Sequence, residues 1–438
     1  MSRTPDDDLP PQGYANYVLA VLLAAYILSF VDRNILALLV GPIRAEFDIT
    51  DFQFSILHGW AFTLFYIVLG LPIGWLADRY SRKWIITAGV LAWSVMTCLC
   101  GFAKSFGSLF AARVGVGVGE ATLSPAAYSL MGDYFSPERL RWATAVFTMG
   151  ITLGSGGSYL IGGWLYDWFS AGRGMAGWAW LQGFSAWQLT FIAVGLPGLL
   201  VVALLLAVRE PPRRRLLAAD TGQAVPVAEW LAHLRGHWQA YTALMLGVSM
   251  MSIVGYGTLT WYPEFLFRTY GLSKSAGGAA LGTMFIVAGT AGALGGAWFA
   301  SLLQRRGYRD ANLRLVMLAA LLLIAPATLA PLLPRADWAI WLSWPVIFVH
   351  YTHFGVAMAA LQLITPNRLR AQTSALMLFM ANLFGLALGG SVVAFFTDFV
   401  FGYDDALRYS LALCALLMYP AAAAIVGWGL RHYRAALM

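Results

Sequence analysis

Charged residues are scarce in this chain: Asp, Glu, Lys and Arg make up 11% of its 438 residues. Soluble domains carry about 25% of such residues, which argues against a soluble globular protein. The three cysteines, Cys98, Cys100 and Cys414, all fall in apolar runs and imply no disulfide framework. The polar, acidic N-terminal segment has no apolar region of the signal-peptide kind, so we do not expect a cleaved leader.

The sequence also lacks the short motifs of common enzymes and pumps. It contains no G-x-S-x-G, H-E-x-x-H, P-loop or carboxylate-dyad pattern, and the missing P-loop argues against an ATP-driven pump on this chain. His350 and His353 share a helix face, but two histidines without acidic or Cys partners make a poor metal site. We therefore expect no enzyme activity, no metal and no cofactor. Basic residues are scattered between apolar runs, so the net charge of +7 does not indicate nucleic-acid binding.

Long apolar runs are what the chain has in abundance, with 60% hydrophobic residues. About 20 apolar residues are needed to cross a membrane as a helix. The sequence predicts an all-α membrane protein with twelve such spans: 14–40, 54–77, 84–103, 106–132, 140–165, 186–208, 239–266, 276–303, 313–333, 338–364, 371–397 and 406–430.

The distribution of basic residues predicts the orientation of these spans. If the N-terminus is cytoplasmic, 19 of the 28 Lys and Arg residues fall on the inner side and 7 on the outer side. Basic residues accumulate in cytoplasmic loops, so both termini are predicted to be cytoplasmic. This bias also supports the count of twelve, because a wrong count would scramble the alternation. We expect a multi-pass protein of the cell (inner) membrane.

One long connection, residues 209–238, divides the chain into two bundles of six helices, 1–208 and 239–438. Apolar residues recur in it at helical spacing, with Arg235 and His237 between them: Val227, Trp230, Leu231, Leu234 and Trp238. This pattern predicts a short amphipathic helix on the inner membrane surface, and an ordered linker without a role of its own is the alternative.

The second inner loop, "GWLADRYSRKW" (Gly74–Trp84), resembles the signature loop of the major facilitator superfamily, with Ser81 in place of the usual Gly. The resemblance implies two six-helix bundles that alternate in opening to either side of the membrane. It also implies that Asp78 faces the start of the eleventh helix near Arg370. We expect Arg82 to pair with Asp133 or Glu138 and to help close the cytoplasmic side. The resulting set of predicted gating residues is Gly74, Asp78, Arg79, Arg82, Asp133, Glu138 and Arg139.

Four charged residues lie inside predicted spans, where each costs on the order of 3 kcal/mol to insert. Asp32 and Arg33 lie in the first span, and Arg113 and Glu120, seven residues apart, share a face of the fourth. At about 1.5 Å per residue, Asp32 and Arg113 lie at similar depth. We therefore expect one buried, formally neutral network with Asp32–Arg113 and Arg33–Glu120 pairs. Intramembrane acids are typical of proton relays, although a static ion network is the alternative.

The segments "DRNIL" and "GVGEATLSPA" resemble the spinster family, whose members carry an Asp-Arg pair in the first helix and G-x-G-E-A in the fourth. This resemblance implies a proton-coupled transporter for lysophospholipids or sphingolipids, with Asp32, Arg33 and Glu120 as coupling residues. Its expected partners are a small amphipathic substrate, protons and membrane lipids, and we expect a monomer. Ser155 stands where the drug/proton antiporters have Pro, which makes the multidrug interpretation weaker without removing it. A drug or organic-anion/proton transporter of the same superfamily is therefore the alternative. An energy-independent lipid scramblase, which needs no titratable network, is the alternative from another class.

Further polar and aromatic residues of the spans are candidates for the substrate cavity. Each of them suits helix packing as well as it suits an acyl chain or a head group. With the charged residues, the predicted substrate-binding set is Arg33, Arg113, Glu120, Ser155, Tyr256, Trp261, His350 and Asn382.

Overall fold

The computed structural model describes residues 10–173, 179–212 and 227–437. Every regular element in these residues is helical, as the apolar runs predict, and they contain no strand. The first part of the chain forms helices α1 Gln12–Asn34, α2 Val40–Phe47, α3 Asp51–Ser55, α4 Ala61–Arg79, α5 Arg82–Cys100, α6 Phe106–Glu120, α7 Leu123–Tyr134, α8 Pro137–Thr148, α9 Gly150–Ser170, α10 Ala186–Gly195 and α11 Pro197–Leu206.

The remainder of the chain forms α12 Val227–Gly236, α13 Trp238–Tyr270, α14 Lys274–Met284, α15 Thr290–Arg305, α16 Ala311–Leu329, α17 Ala336–Leu363, α18 Arg370–Asn382, α19 Gly390–Phe395 and α20 Leu407–Ala436. Short 3₁₀ helices occupy Ile35–Leu38, Ala179–Gly183, Ala330–Leu332, Asn367–Leu369 and Asp404–Ala406. Turns of π-helix occupy Ile56–Trp60, Phe285–Gly289, Leu383–Gly389 and Phe396–Phe401.

Ten helical stretches of the described residues are long and apolar enough to cross a membrane: 12–38, 51–70, 82–100, 186–206, 238–270, 274–305, 311–332, 336–363, 372–401 and 404–436. The predicted fourth and fifth spans are helical but are not among these ten. A turn at Ala121–Thr122 separates α6 from α7, and Met149 separates α8 from α9. Glycine and serine residues also lower the hydropathy of α9.

The described residues divide into two compact units that do not strictly follow chain order. The first unit contains the residues up to Asp48, those from Ala61 to the undescribed segment 213–226, and Ser273–Gly282. The second contains Ile49–Trp60, the residues from Val227 to Leu272, and those from Thr283 onward. Two continuous helical runs therefore change unit partway, and each does so beside a π turn, Ile56–Trp60 in one and Phe285–Gly289 in the other. Such turns are common where a helix bends.

In the first unit, α1 packs against α9, and α6 packs against α4 and α5. Glycines of α6 allow the close approach that their spacing predicts. A Cβ atom at Gly117 would lie 2.5 Å from the carbonyl oxygen of Phe62 in α4, and one at Gly119 would lie 2.7 Å from the backbone nitrogen of Trp93 in α5. These contacts hold the C-terminal end of α6, with Glu120, firmly between two helices.

In the second unit, α13 packs against α20, and α16 packs against α17 and α20. The predicted amphipathic helix is present as α12, and it contacts this unit by polar side chains. The indole Nε1 of Trp230 donates to Thr373 Oγ1 of α18 at 3.1 Å, and Glu229 forms an ion pair with Arg368. No residue of α12 is buried, and Val227 is 62% exposed. The exposed apolar edge is consistent with the predicted position at a membrane surface.

Candidate functional site

A buried ion pair joins α1 to α6 within the first unit. Arg33 Nη2 lies 2.6 Å from Glu120 Oε2, and Arg33 Nε donates to the same oxygen at 3.2 Å. The hydroxyl of Ser29, one turn earlier in α1, donates to it as well at 2.7 Å. The Glu120 side chain is fully buried, and its second oxygen, Oε1, has no hydrogen-bond partner among the described residues. The structure thus contains the predicted Arg33–Glu120 pair, and it adds Ser29, which the sequence analysis missed.

Aromatic rings surround the guanidinium of Arg33. Its Cζ atom lies 4.6 Å from the ring centroid of Phe30, 4.5 Å from that of Phe62 and 5.2 Å from that of Tyr66. Cation–π contacts of this kind contribute about 0.5–2 kcal/mol each, most where water is excluded. The rings therefore offset part of the cost of burying Arg33, and they give its surroundings an apolar surface.

Arg113 and Asp32 are in contact, but not as the predicted carboxylate pair. Arg113 Nη1 donates to the backbone carbonyl of Asp32 at 3.1 Å, and Nη2 donates to that of Arg33 at 3.4 Å. Because α1 ends at Asn34, the carbonyls of its last turn lack regular helical partners and can accept these bonds. The carboxylate atom Oδ1 of Asp32 is buried and has no hydrogen-bond partner in the part of the chain that the structure covers. The four charges, Asp32, Arg33, Arg113 and Glu120, together form what we call the Arg33 cluster.

The other predicted substrate-binding residues have distinct environments. Ser155 extends the Arg33 cluster in the first unit, because it accepts a hydrogen bond from Asn34 Nδ2 at 3.1 Å. The remaining four belong to the second unit. Trp261 is fully buried, and its Nε1 donates to Gly390 O at 2.7 Å, which is a packing role. Tyr256 packs closely against Gly385, His350 contacts the hydroxyl of Tyr419, and Asn382 is the half-buried last residue of α18.

A second ion network, the Arg82 cluster, contains Arg82, Asp133 and Glu210 of the first unit. Arg82 forms an ion pair with Asp133, as predicted, and its Nε lies 2.8 Å from Glu210 Oε1. Glu210 also accepts from the backbone nitrogen of Lys83 at 2.8 Å and from Ser81 Oγ at 2.9 Å. Sequence reasoning missed Glu210, although it is the acid that directly follows the sixth predicted span.

The other predicted gating residues that the structure describes have separate environments. Arg79 is exposed, with its Cζ atom 3.9 Å from the ring centroid of Trp75. Gly74 is half-buried, and a Cβ added there would meet no atom within 4 Å. Glu138 and Arg139 are exposed. The side chain of Asp78 lies outside the described part of the chain.

The pKa of Glu210 makes the Arg82 cluster sensitive to acid. Partial burial raises the pKa, but hydrogen bonds from Lys83, Arg82 and Ser81 together hold it below its ordinary value. Stability from this group is therefore present above the unfolded-state pKa and lost as pH falls through the folded-state pKa. We expect Glu210→Gln to flatten the acid side of the thermal-stability profile measured in detergent between pH 3 and pH 7. An unchanged slope would contradict this role.

A third network, the Arg268 cluster, lies in the second unit and consists of Asp51, Glu264 and Arg268. Arg268 binds both carboxylate oxygens of Asp51 at 2.8 Å, and its Nε lies 2.8 Å from Glu264 Oε1. Next to it, Asp398 Oδ2 accepts from the backbone nitrogen of Phe52 at 2.7 Å. The side chains of Asp51 and Glu264 are 0% and 5% exposed. Sequence reasoning placed Arg268 in a loop and missed this cluster.

A helical, membrane-compatible fold with charged clusters buried inside it is typical of membrane transporters. A family model, the Major Facilitator Superfamily, matches residues 22–393. The chain therefore belongs to the Major Facilitator Superfamily and is a multi-pass membrane transporter of small-molecule substrates.

Individual relatives agree with this assignment. A "MFS-type efflux pump" of Mycolicibacterium smegmatis is 29% identical over 409 residues, 93% of this chain and 89% of that protein. Protein spinster homolog 1 of Bos taurus is 30% identical over 261 residues, 59% of this chain and 47% of that protein.

A solved structure gives the same family. The crystal structure of a bacterial homolog to the human lysosomal transporter spinster, inward-facing and unoccupied, has a TM-score of 0.82 and 27% identity, and it covers 98% of this chain and 99% of that chain. The resemblance to the spinster family that the motifs of the first and fourth spans carry is thus confirmed.

Proposed function

We propose that the chain is a secondary transporter that couples proton binding at Glu120 to alternating access for an amphipathic, lipid-like substrate of the lysophospholipid or sphingolipid class. The observation that carries the proposal is the buried Arg33–Glu120 pair, in which Glu120 Oε1 has no partner within residues 10–173, 179–212 and 227–437. A proton on Glu120 removes its negative charge and weakens its hold on Arg33. Arg33 is then available to a negatively charged head group, while its aromatic neighbours suit an acyl chain.

The proposal includes the predicted topology and roles. The chain has twelve spans in two bundles, 1–208 and 239–438, with cytoplasmic termini in the cell inner membrane, and it acts as a monomer. Asp32, Arg33 and Glu120 couple protons; Arg113 and Ser155 support the site, and Tyr256, His350 and Asn382 contribute to binding. The Arg82 cluster closes the cytoplasmic side together with Gly74, Asp78, Arg79, Glu138 and Arg139. The spinster relatives and the spinster-type structure support the family resemblance from which the lipid substrate is inferred.

A second candidate is an exporter of drugs or organic anions driven by protons. The similarity to an efflux pump covers 93% of this chain, more than the 59% covered by the bovine spinster protein. The same Arg33 cluster serves proton coupling in this alternative. An energy-independent scramblase is the third alternative, and it requires no response to a pH gradient.

Uptake of candidate substrates into proteoliposomes tests both the proton coupling and the substrate class. Lysophospholipids, sphingoid phosphates and cationic dyes are compared with and without an imposed pH gradient. We expect a gradient to accelerate the uptake of the lipid by at least tenfold, and Glu120→Gln to abolish this acceleration while the protein stays folded. Glu229→Gln is the matched control, because Glu229 is partly exposed in an ion pair outside the spans.

Each outcome decides between the candidates. Acceleration of dye but not lipid uptake favours the exporter. Lipid movement that ignores the gradient in both wild type and Glu120→Gln indicates a scramblase. Gradient-driven lipid uptake that persists in Glu120→Gln would refute Glu120 as the coupling residue.

A further inference from the structure

Two histidines in the middle of α17 form a pair that the proposed function uses only in part. His350 and His353 lie one turn apart, with ring centroids separated by 4.9 Å. His353 is buried, with 3% of its surface exposed. Among the described residues, neither imidazole takes part in an ion pair.

The hydrogen bond of His353 fixes its tautomer. Its Nδ1 is bonded to the backbone carbonyl oxygen of His350. A carbonyl oxygen can only accept, so Nδ1 carries the hydrogen and Nε2 of the neutral ring carries a lone pair. This Nε2 atom is buried and has no hydrogen-bond partner in the part of the chain that the structure describes. An acceptor held unpaired in an apolar interior is energetically unfavourable, and this cost calls for a functional reason.

His350 is held in position from two sides. Its Nδ1 lies 3.2 Å from the Tyr419 hydroxyl of α20. On α13, a Cβ atom at Gly255 would lie only 2.2 Å from His350 Nε2, so the ring fits there because residue 255 is glycine. The pair is therefore fixed against two neighbouring helices rather than loosely packed.

The titratable groups around the pair are weak acids that stay neutral at ordinary pH. They are Tyr351 on α17, Tyr256 on α13, and Tyr419 and Cys414 on α20. Phe285, which precedes α15, covers Tyr351. A proton on His353 would thus create a buried cation beside neutral groups. Such a charge is stabilised only when an anion approaches it.

We propose that His353 Nε2 is a second proton-binding site, in the second compact unit and separate from Glu120, and that its protonated form binds an anionic head group. His350 is a positioning residue that supplies the carbonyl fixing the tautomer. This inference rests on the proposed function for its role in transport, and it adds a second proton-binding residue to that function. Proton binding is a simple transfer from water to the Nε2 lone pair.

The test is a nitrogen NMR titration of the full-length protein in detergent, labelled with ¹⁵N-histidine. The signals that vanish in His353→Gln belong to His353, and His432→Gln is the control for a partly exposed histidine. We expect wild-type His353 to show a protonated Nδ1 and an unprotonated Nε2 at neutral pH, with Nε2 becoming protonated on acidification. Hexadecyl phosphate should raise the midpoint of this titration by about one pH unit, which corresponds to roughly tenfold tighter binding to the protonated form.

The remaining probes separate the possible ligands. Inorganic phosphate that shifts the midpoint equally indicates a free anion instead of a lipid head group, and hexadecyltrimethylammonium should leave the midpoint unchanged or lower it. An Nε2–H tautomer, or an Nε2 that stays unprotonated throughout the folded range, would overturn the proposal. If His353→Gln does not fold, His350→Gln assigns the signals by elimination. The titration of His353 does not depend on the uptake assay. If Glu120→Gln keeps gradient-driven uptake, the proposal for Glu120 is refuted while the proposal for His353 is still tested.

Discussion

Replacing Arg268 with Ala should lower the apparent melting temperature of the detergent-purified protein by roughly 5–10 °C. The arginine binds Asp51 through two bonds of 2.8 Å and Glu264 through a third. Its loss leaves two buried carboxylates without the cation they share. Breaking a buried ion pair in this way costs about 3–5 kcal/mol, mainly because the remaining charge stays buried. The measurement is thermal unfolding followed by fluorescence.

A matched control for this experiment is Arg335→Ala. Arg335 also binds an aspartate, Asp337, but the two side chains are 62% and 50% exposed. Exposed pairs contribute little to stability, so the melting temperature should hardly change. The double variant Asp51→Asn/Arg268→Ala should recover part of the loss, because it removes one of the unpaired charges. Equal shifts in Arg268→Ala and Arg335→Ala would show that the Arg268 cluster does not act as a buried network.

Replacing Arg82 with Ala should be the second most damaging change. Arg82 is 1% exposed and pairs with Asp133, whose side chain is 6% exposed, and with Glu210. Its loss leaves Asp133 buried beside the uncompensated Glu210, at a cost of roughly 3 kcal/mol or more. We expect a melting temperature several degrees lower and a reduced yield of folded protein in size-exclusion chromatography.

Arg79→Ala provides the comparison for Arg82, since both arginines belong to the same loop motif. Arg79 is exposed and rests on the Trp75 ring, so its removal should change stability by less than about 1 kcal/mol. Asp133→Asn should cost less than Arg82→Ala, because Glu210 still pairs with the arginine. If Arg79→Ala proves as damaging as Arg82→Ala, the ion network is not the reason why the loop matters for stability.

The sequence predicted the helical fold and one ion pair in each of two buried clusters, Arg33–Glu120 and Arg82–Asp133. Apolar runs of membrane-spanning length predict helices directly. The Arg33–Glu120 pair followed from residue spacing and depth, both of which a regular helix fixes. The Asp32–Arg113 contact differs from the predicted carboxylate pair because it depends on where α1 ends. The helix ends at Asn34, which the sequence does not reveal, and Arg113 donates to the backbone carbonyls of Asp32 and Arg33.

Other ion pairs, such as that of Asp51 with Arg268, could not be predicted, because they join residues that are far apart in the sequence. Asp51 and Arg268 are separated by 217 residues, and each looks like a loop residue next to a predicted span. The sequence did not indicate that Phe62 and Tyr66 contact Arg33, because aromatic residues are common among the apolar residues of a membrane helix. The tautomer of His353 depends on a contact within its own helix, the hydrogen bond to the carbonyl of His350, and the sequence does not show this bond either.

The segment Ile49–Trp60 has a consequence for how the chain is made. It belongs to the compact unit whose other members begin at residue 227, and Asp51 meets Arg268 only after 217 more residues have been added. At 5–20 residues per second, the ribosome needs on the order of 10–40 s to supply that partner. During this interval Asp51 lacks the arginine that it binds in the folded protein. We therefore expect the segment around Asp51 to be the part of stalled or truncated chains that quality-control proteases recognise.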